Sequence, residues 1–576
     1  MASRIIKEGI KMSIDDIRNK MQQVGIEAYV ITHGNRFIGQ DILPEENKLE
    51  YLTGFSGSAG ILAVTAEKAF LLVDGRYELQ ARQETDATKI TVIDATPRLK
   101  NVCDLLSENK IKKIGYDTWC HTVAEMEFIK RRYGNLEFKN FGNWFNLDNE
   151  KQIAVCDREV RFSGLSSADK IAFLVAEMQE KGADYYLLTS ADSVSWLANI
   201  YARDLPFSPV VRAYALVSDK GELSLFSGLR DENARLGTWK EFESLCRSLK
   251  DKVVLYDAHS TPEAVKMMGD KSVKLVKTFD LCQKLKAEKN KTELQGMINC
   301  HIRDGAALSK FLCWLEENRF ELTELDVVDK LHEFREKEEY FFGESFATIA
   351  GAGANGAVVH YQPSEKTNIK LPENGLLLID SGAQYFDGTT DVTRTVALGK
   401  PAKEMIADFT MVLKAHIALA QLRFPENLPG DKMDIIARSK LWQHGCDYKH
   451  GTGHGVGCFG NVHEGPISIS ASGSDYGFKS GMVVSNEPGI YRAGLYGIRI
   501  ENLQYTAKVE GLENEGFLEF KYLTKVPIDK RLIDKYLLNE GERAWLNDYH
   551  RNVYDTLAPY MNENEKVWLK DACSPL

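Results

Sequence analysis

The chain carries two hydrophobic rhythms. Leu376-Leu377-Leu378-Ile379 is the unbroken apolar run of a buried strand, and it ends on Asp380, Ser381 and Gly382. Past the turn residues Asp387-Gly388, Asp391-Val392-Thr393-Arg394-Thr395-Val396 alternates with a period of two and predicts a second strand, antiparallel to the first. Met482-Val483-Val484 leads through Ser485-Asn486 to Glu487, where Pro488-Gly489 stops the run. In Ile498-Arg499-Ile500-Glu501 the same period puts the isoleucines on one face and Arg499 with Glu501 on the other. From Thr292 onward the rhythm changes: Leu294, Met297, Ile298, Ile302, Ala306, Leu308 and Leu312 have helical spacing and predict one long helix. After Glu501, apolar positions at Leu532, Ile533, Leu537, Leu538, Trp545, Leu546 and Tyr549 predict a terminal helix pair packed on the same domain.

Earlier in the chain one pattern occurs twice. Met21-Gln22, Gly25, Tyr29 and Val30-Ile31-Thr32 return as Met178-Gln179, Gly182, Tyr186 and Leu187-Leu188-Thr189. Each copy reads as the end of an amphipathic helix, a Gly cap and a short buried strand. An aromatic-aliphatic element follows each, Tyr51-Leu52-Thr53-Gly54-Phe55 and Trp196-Leu197-Ala198-Asn199-Ile200. The copies are too far apart for a solenoid and predict two related α/β domains. The expected division is 1–160, 161–290 and 291–576, with Ser166 or Ser167 capping the first helix of the second domain and a charged link at 285–291. The fold class is α/β (α+β).

Composition narrows the reading. A chain of 576 residues is too long for one core. Net charge −11 and the lack of a long basic run exclude a nucleic-acid binder. No apolar stretch is long enough to span a bilayer, and Met1–Lys7 has no apolar core for a secretory signal. Ten cysteines occur singly, which suits free thiols in a reducing compartment. A cytoplasmic enzyme is expected.

The chemistry sits between His360 and Glu501. Asp380, Asp391, His454, Glu487 and Glu501 combine four carboxylates with one imidazole in Gly-rich or strand-like settings. Any one of them alone reads as a turn former or a satisfied polar residue. Together they need cations, because an unpaired buried carboxylate costs several kcal/mol. One His with four carboxylates is a mostly oxygen donor set, suited to Mn²⁺, Mg²⁺ or Co²⁺ rather than to a structural zinc. His450 and His454 stand among glycines that let backbone and substrate approach. Arg499, sharing a face with Glu501, is expected to orient a ligand carboxylate or the substrate backbone. His332, His416 and His550 lie on helical patterns and read as surface or core residues.

The ordered motifs Asp-Ser-Gly, Asp-Val-Thr-Arg-Thr, His-Gly-Thr-Gly-His-Gly-Val-Gly, His-Glu-Gly-Pro, Asn-Glu-Pro-Gly-Ile-Tyr and Gly-Ile-Arg-Ile-Glu-Asn resemble the pita-bread metallopeptidases, and among them the aminopeptidase P (Xaa-Pro aminopeptidase) family. The likeness extends over nearly the whole chain and favours the long, three-domain form. It implies two creatinase-like N-terminal domains before a pita-bread catalytic domain. It also implies two Mn²⁺ ions, with Zn²⁺ or Co²⁺ as alternatives, and a homodimer. The implied substrates are peptides with proline at the second position. By the same resemblance His360 shuttles protons on the substrate side, His463 holds the scissile carbonyl, His450 stands behind the metal site and Tyr491 lies near the leaving-group pocket. Prolidase has the same metal pattern, but two leading domains and the long tail count against it. Creatinase-like enzymes and the metal-free peptide-binding modules of this fold lack the full ligand set, and methionine aminopeptidase is shorter.

Overall fold

The structure is a computed structural model that describes residues 12–39, 42–142, 144–145, 152–473, 476–511 and 516–576. The N-terminal stretch read for a signal lies outside them. The chain divides into two compact units, one formed by Met1–Arg158, Leu165–Pro206 and Val210–Cys282, the other by Glu159–Gly164, Phe207–Pro209 and Gln283–Leu576.

The first unit contains the repeat as two six-stranded mixed sheets of one plan. Helix α1 (Ile14–Val24) begins at a capping box of Ser13 with Asp16 and ends at Gly25, φ 70°. Helix α2 (Ser167–Lys181) begins at a capping box of Ser166 with Asp169 and ends at Gly182, φ 61°. These left-handed ends turn the chain into β1 (Ala28–Thr32) and β2 (Tyr185–Leu188). Strand β1 pairs antiparallel with Ile61–Thr65 and parallel with Lys113–Tyr116. Strand β2 does the same with Tyr214–Ser218 and Val253–Tyr256. The aromatic-aliphatic elements are matching short helices, closed by left-handed Gly54 and Asn199.

The second unit opens on α3 (Lys291–Asn318), whose N-cap Asn290 and Glu293 form a capping box. The segment before it departs from the expected charged link: Leu281–Ala287 is helical, and Lys286 and Lys289 are buried on Glu464 at 3.1 and 2.6 Å. A local charge run says nothing about a carboxylate arriving from elsewhere in the chain. Helix α4 (Glu324–Arg335) packs beside α3. Strands β3 (Ile349–Ala352), β4 (Gly375–Ser381) and β5 (Val392–Leu398) form an antiparallel sheet in which Asp380 lies opposite both Ile349 and Thr393. Helices α5 (Lys403–Ala420) and α6 (Asp431–Trp442) line a shared core with strand β6 (Val483–Asn486) and the hairpin β7 (Gly489–Arg492) to β8 (Tyr496–Arg499). Strand β9 (Asn502–Lys508) pairs with β6. The C-terminal pair α7 (Glu540–Leu557) and α8 (Glu563–Ala572) sinks Leu546, Tyr549, Val553, Leu557 and Leu569 into that core. Among the described residues no helix is long and apolar enough to cross a membrane.

Candidate metal centre

Antiparallel pairing of β4 with β5 puts Thr393 across from Asp380, and Asp391 stands just before β5. Asp391, His454 and Glu501 each offer a ligand atom within 4.8 Å of the others'. Nε2 of His454 is 3.5 Å from Asp391 Oδ2 and 3.5 Å from Glu487 Oε1. Asp380 joins through Arg499, whose Nη2 donates to Asp380 Oδ2 at 2.5 Å while Nε donates to Thr393 Oγ1 at 3.1 Å. The Thr393 hydroxyl donates in turn to Glu501 Oε2 at 2.7 Å.

Local detail differs from the sequence reading at one point. The strand carrying Arg499 ends there, and Glu501 lies in the link to β9, its N–H donating to Thr393 O at 3.2 Å. The two side chains still meet because both bind the Thr393 hydroxyl. The glycines around His454 do admit a close backbone, as expected: a Cβ on Gly453 would come 2.0 Å from Ser485 O and one on Gly455 2.1 Å from Glu464 O.

Crowded carboxylates need protons or cations. Burial, reinforced by Asp391, pushes Asp380 up to about 6 although Arg499 works against it. Burial pushes Glu487 up to about 7. Glu501 is held well above the carboxylate range by burial and then by Asp391 and Asp380. Burial works against the His454 imidazolium, yet Asp391 and Glu487 outweigh it and carry that group up to about 9. Asp380 Oδ1 is buried without a hydrogen-bond partner. A hard divalent cation fits this donor set, since it would satisfy that oxygen and remove the repulsion. His454 is prepared for it: Nδ1–H donates to Gly455 O at 3.0 Å, so Nε2 is the nitrogen turned to the carboxylates.

The remaining histidines flank this cluster unequally. His463 is exposed, with its ring 4.2 Å from that of His454. His450 gives Nδ1–H to Gly451 O at 2.8 Å, so its Nε2 accepts from Tyr491 OH at 2.9 Å. Tyr491 OH itself accepts from Arg499 Nη1 at 2.6 Å, which links the two residues to the Asp380 side of the cluster. His360 is half-buried in the turn after the 3-10 helix Gly353–Ala357; the carbonyl of its neighbour Val359 accepts from Arg499 Nη1 at 3.4 Å. His416 and His550 are core residues with no exposure, whereas His332 is partly exposed and pairs with Glu344 at 2.9 Å.

Comparison with known proteins decides the family. Residues 295–507 match the model of metallopeptidase family M24 and residues 516–576 match the C-terminal region of peptidase M24. Residues 14–147 and 148–293 each match a creatinase/prolidase N-terminal domain. A probable Xaa-Pro aminopeptidase P of Laccaria bicolor is 36% identical, covering 97% of this chain and 92% of that protein. The chain belongs to metallopeptidase family M24. Xaa-Pro aminopeptidase 1 of Dictyostelium discoideum is 35% identical to this M24 chain, covering 99% of it and 97% of the relative. The fold of this chain is similar to the crystal structure of an X-prolyl aminopeptidase from Caenorhabditis elegans, described as a cytosolic enzyme with a di-nuclear active site. That match has a TM-score of 0.89 and 33% identity, and covers 96% of this chain and 95% of the other.

Two supporting residues of this M24 protein escape a reading limited to metal-binding side chains. Thr393 joins Glu501 to Arg499, and Ser485 donates to Glu487 Oε1 at 3.0 Å while accepting from His454 N–H at 2.9 Å. Their signal was available for Thr393, since the alternation of 391–396 puts it on the same face as Asp391.

Proposed function

We propose that this M24 enzyme removes the N-terminal residue from peptides whose second residue is proline, with Asp380, Asp391, His454, Glu487 and Glu501 holding two divalent cations, Mn²⁺ first and Zn²⁺ or Co²⁺ as alternatives. The observation that carries the reading is the convergence of Asp391, His454 and Glu501, with Glu487 Oε1 3.5 Å from His454 Nε2 and an orphaned oxygen on buried Asp380. Two cations, when bound, supply Lewis acidity and a water that ionises near neutral pH. The full-length likeness to Xaa-Pro aminopeptidases supports the choice of substrate.

The chain's own side chains do the rest. His463, exposed beside His454, donates to the scissile carbonyl oxygen as negative charge builds there. His360 delivers a proton to the proline nitrogen, which has no N–H of its own in the peptide. Arg499 fixes Asp380 and Tyr491 together, and His450 orients the Tyr491 hydroxyl near the leaving group. The reading also includes the three-part division 1–160, 161–290 and 291–576, a cytoplasmic location and a homodimer, which sedimentation checks.

The substrate test compares Xaa-Pro-Yaa, Xaa-Pro and Xaa-Ala-Yaa at equal concentration with Mn²⁺-loaded protein. Release of Xaa from the tripeptide with proline, and little from the other two, is the expected result. Preference for the dipeptide would make the protein a prolidase; indifference to proline would refute both.

A further inference from the structure

Outside the cluster of ligands, one buried carboxylate gathers an unusual number of bonds. Glu324, the first residue of α4, has no exposed surface. Its Oε1 accepts from Ala352 N–H at 2.8 Å and from Asn355 Nδ2 at 3.0 Å. Its Oε2 accepts from Tyr361 OH at 2.7 Å and from Ile369 N–H at 3.2 Å. These donors are spread along one segment, from the end of β3 to the residue before Lys370. Its two ends, Ala352 and Ile369, and its two interior points, Asn355 and Tyr361, all meet at a single side chain.

The same segment is tied elsewhere to the start of α4. Glu324 N–H donates to Ile369 O at 3.1 Å and Leu325 N–H to Asn368 Oδ1 at 3.1 Å. Asn355 Nδ2 also reaches Tyr361 OH at 2.9 Å. On its other side the segment lies against β8, where a Cβ on Gly497 would come 1.7 Å from Gly356 O. His360 stands between these fixed points, next to Tyr361. Four neutral donors thus converge on one carboxylate in the first turn of α4, where the helix dipole also favours an acid.

We propose that Glu324 is a positioning residue for His360: it closes the segment 352–369 into one rigid loop and thereby aims that imidazole at the leaving group. This rests on the role given to His360 above. Among the described residues Glu324 bonds to none of the five proposed ligands, so its contribution reaches the reaction through the loop alone.

Glu324→Gln keeps the size of the side chain but turns an NH₂ toward donors on one side. With metal content equal to wild type by elemental analysis, kcat on Xaa-Pro-Yaa falls roughly 10-fold or more, the scale of a small misplacement of a reacting group. The deciding measurement is the cycle with His360→Ala. If Glu324 acts through His360, the double variant is no slower than His360→Ala alone. A further loss of the same factor in the double variant overturns the proposal and leaves the role of His360 standing. A His360→Ala protein with wild-type rate overturns both. Should Glu324→Gln fail to fold, Tyr361→Phe, which removes one of the four donors, takes its place in the same cycle with the same outcomes.

Discussion

Thr393 shows how a small neutral residue organises charged ones. Its hydroxyl accepts from Arg499 and donates to Glu501, so one oxygen sets the distance between the Arg499 guanidinium and a proposed ligand. Thr393→Val keeps the shape and leaves both partners short of a bond, at a cost of about 1–3 kcal/mol in stability. Metal affinity is expected to fall roughly 10–100-fold, as for other groups that orient ligands, which titration of stripped protein with Mn²⁺ checks. Asp391→Asn and Glu501→Gln should lose the metal itself, seen as its absence after dialysis together with loss of turnover. His463→Ala separates chemistry from metal holding: it keeps its metal and loses roughly 10²–10⁴-fold in rate. An empty but folded His463→Ala protein would contradict that role.

At the scale of elements, the long helix α3 is held close to its neighbours by glycine. A Cβ on Gly305 would lie 2.3 Å from the carbonyl oxygen of Lys525, in the stretch that leads into the terminal helices. Ala at a helix interior is intrinsically better than Gly by roughly 0.5–1 kcal/mol. Overpacking against backbone costs about 1–3 kcal/mol, so the second effect wins and Gly305→Ala should lower the melting temperature rather than raise it. A rise would mean that the helix can shift outward. The terminal pair is bonded to strand β5 as well. Arg394, buried on β5, donates to Glu501 O, to Val526 O and to Tyr549 OH at 2.6, 2.8 and 2.9 Å. The C-terminal helices therefore brace the segment that presents Glu501.

For the whole molecule, two of the buried histidines, His416 and His550, contribute strongly to acid stability. Burial pushes His416 and His550 down to about 3 from 6.5. Their bonds suit the neutral ring: His416 Nδ1–H donates to Asn486 O at 3.0 Å and His550 Nε2 accepts from Ile528 N–H at 3.1 Å. Between those pH limits the unfolded chain binds protons that the folded chain refuses, so stability falls as pH drops below 6.5 and is unaffected above it by these groups. Each contributes a slope of about 1.4 kcal/mol per pH unit within the window. His550→Gln should make the acid arm of stability against pH shallower by one proton, measured by denaturant unfolding at equal metal loading; an unchanged slope would show that the ring is already protonated in the fold.

Some of this was legible in the residues alone. The apolar run ending on Asp380 and the alternation after Asp391 gave an antiparallel strand pair, and the doubled helix–Gly–strand pattern gave two related sheets. Such patterns are local: periodicity and caps depend on neighbours a few residues away. The candidate ligands stood out because carboxylates at the ends of buried strands are costly without a partner. What tertiary structure decided is which distant groups meet. Lys286 and Lys289 read only as part of a charged link, with no sign of Glu464 beside them, and Glu501 reaches Thr393 from outside the strand that was to carry it. No local pattern singles out Glu324, and only the folded chain brings four donors to it. Hydrogen-bond partners across long stretches of sequence have no periodicity to reveal them, because they are fixed by packing of whole elements rather than by the local rhythm of the chain.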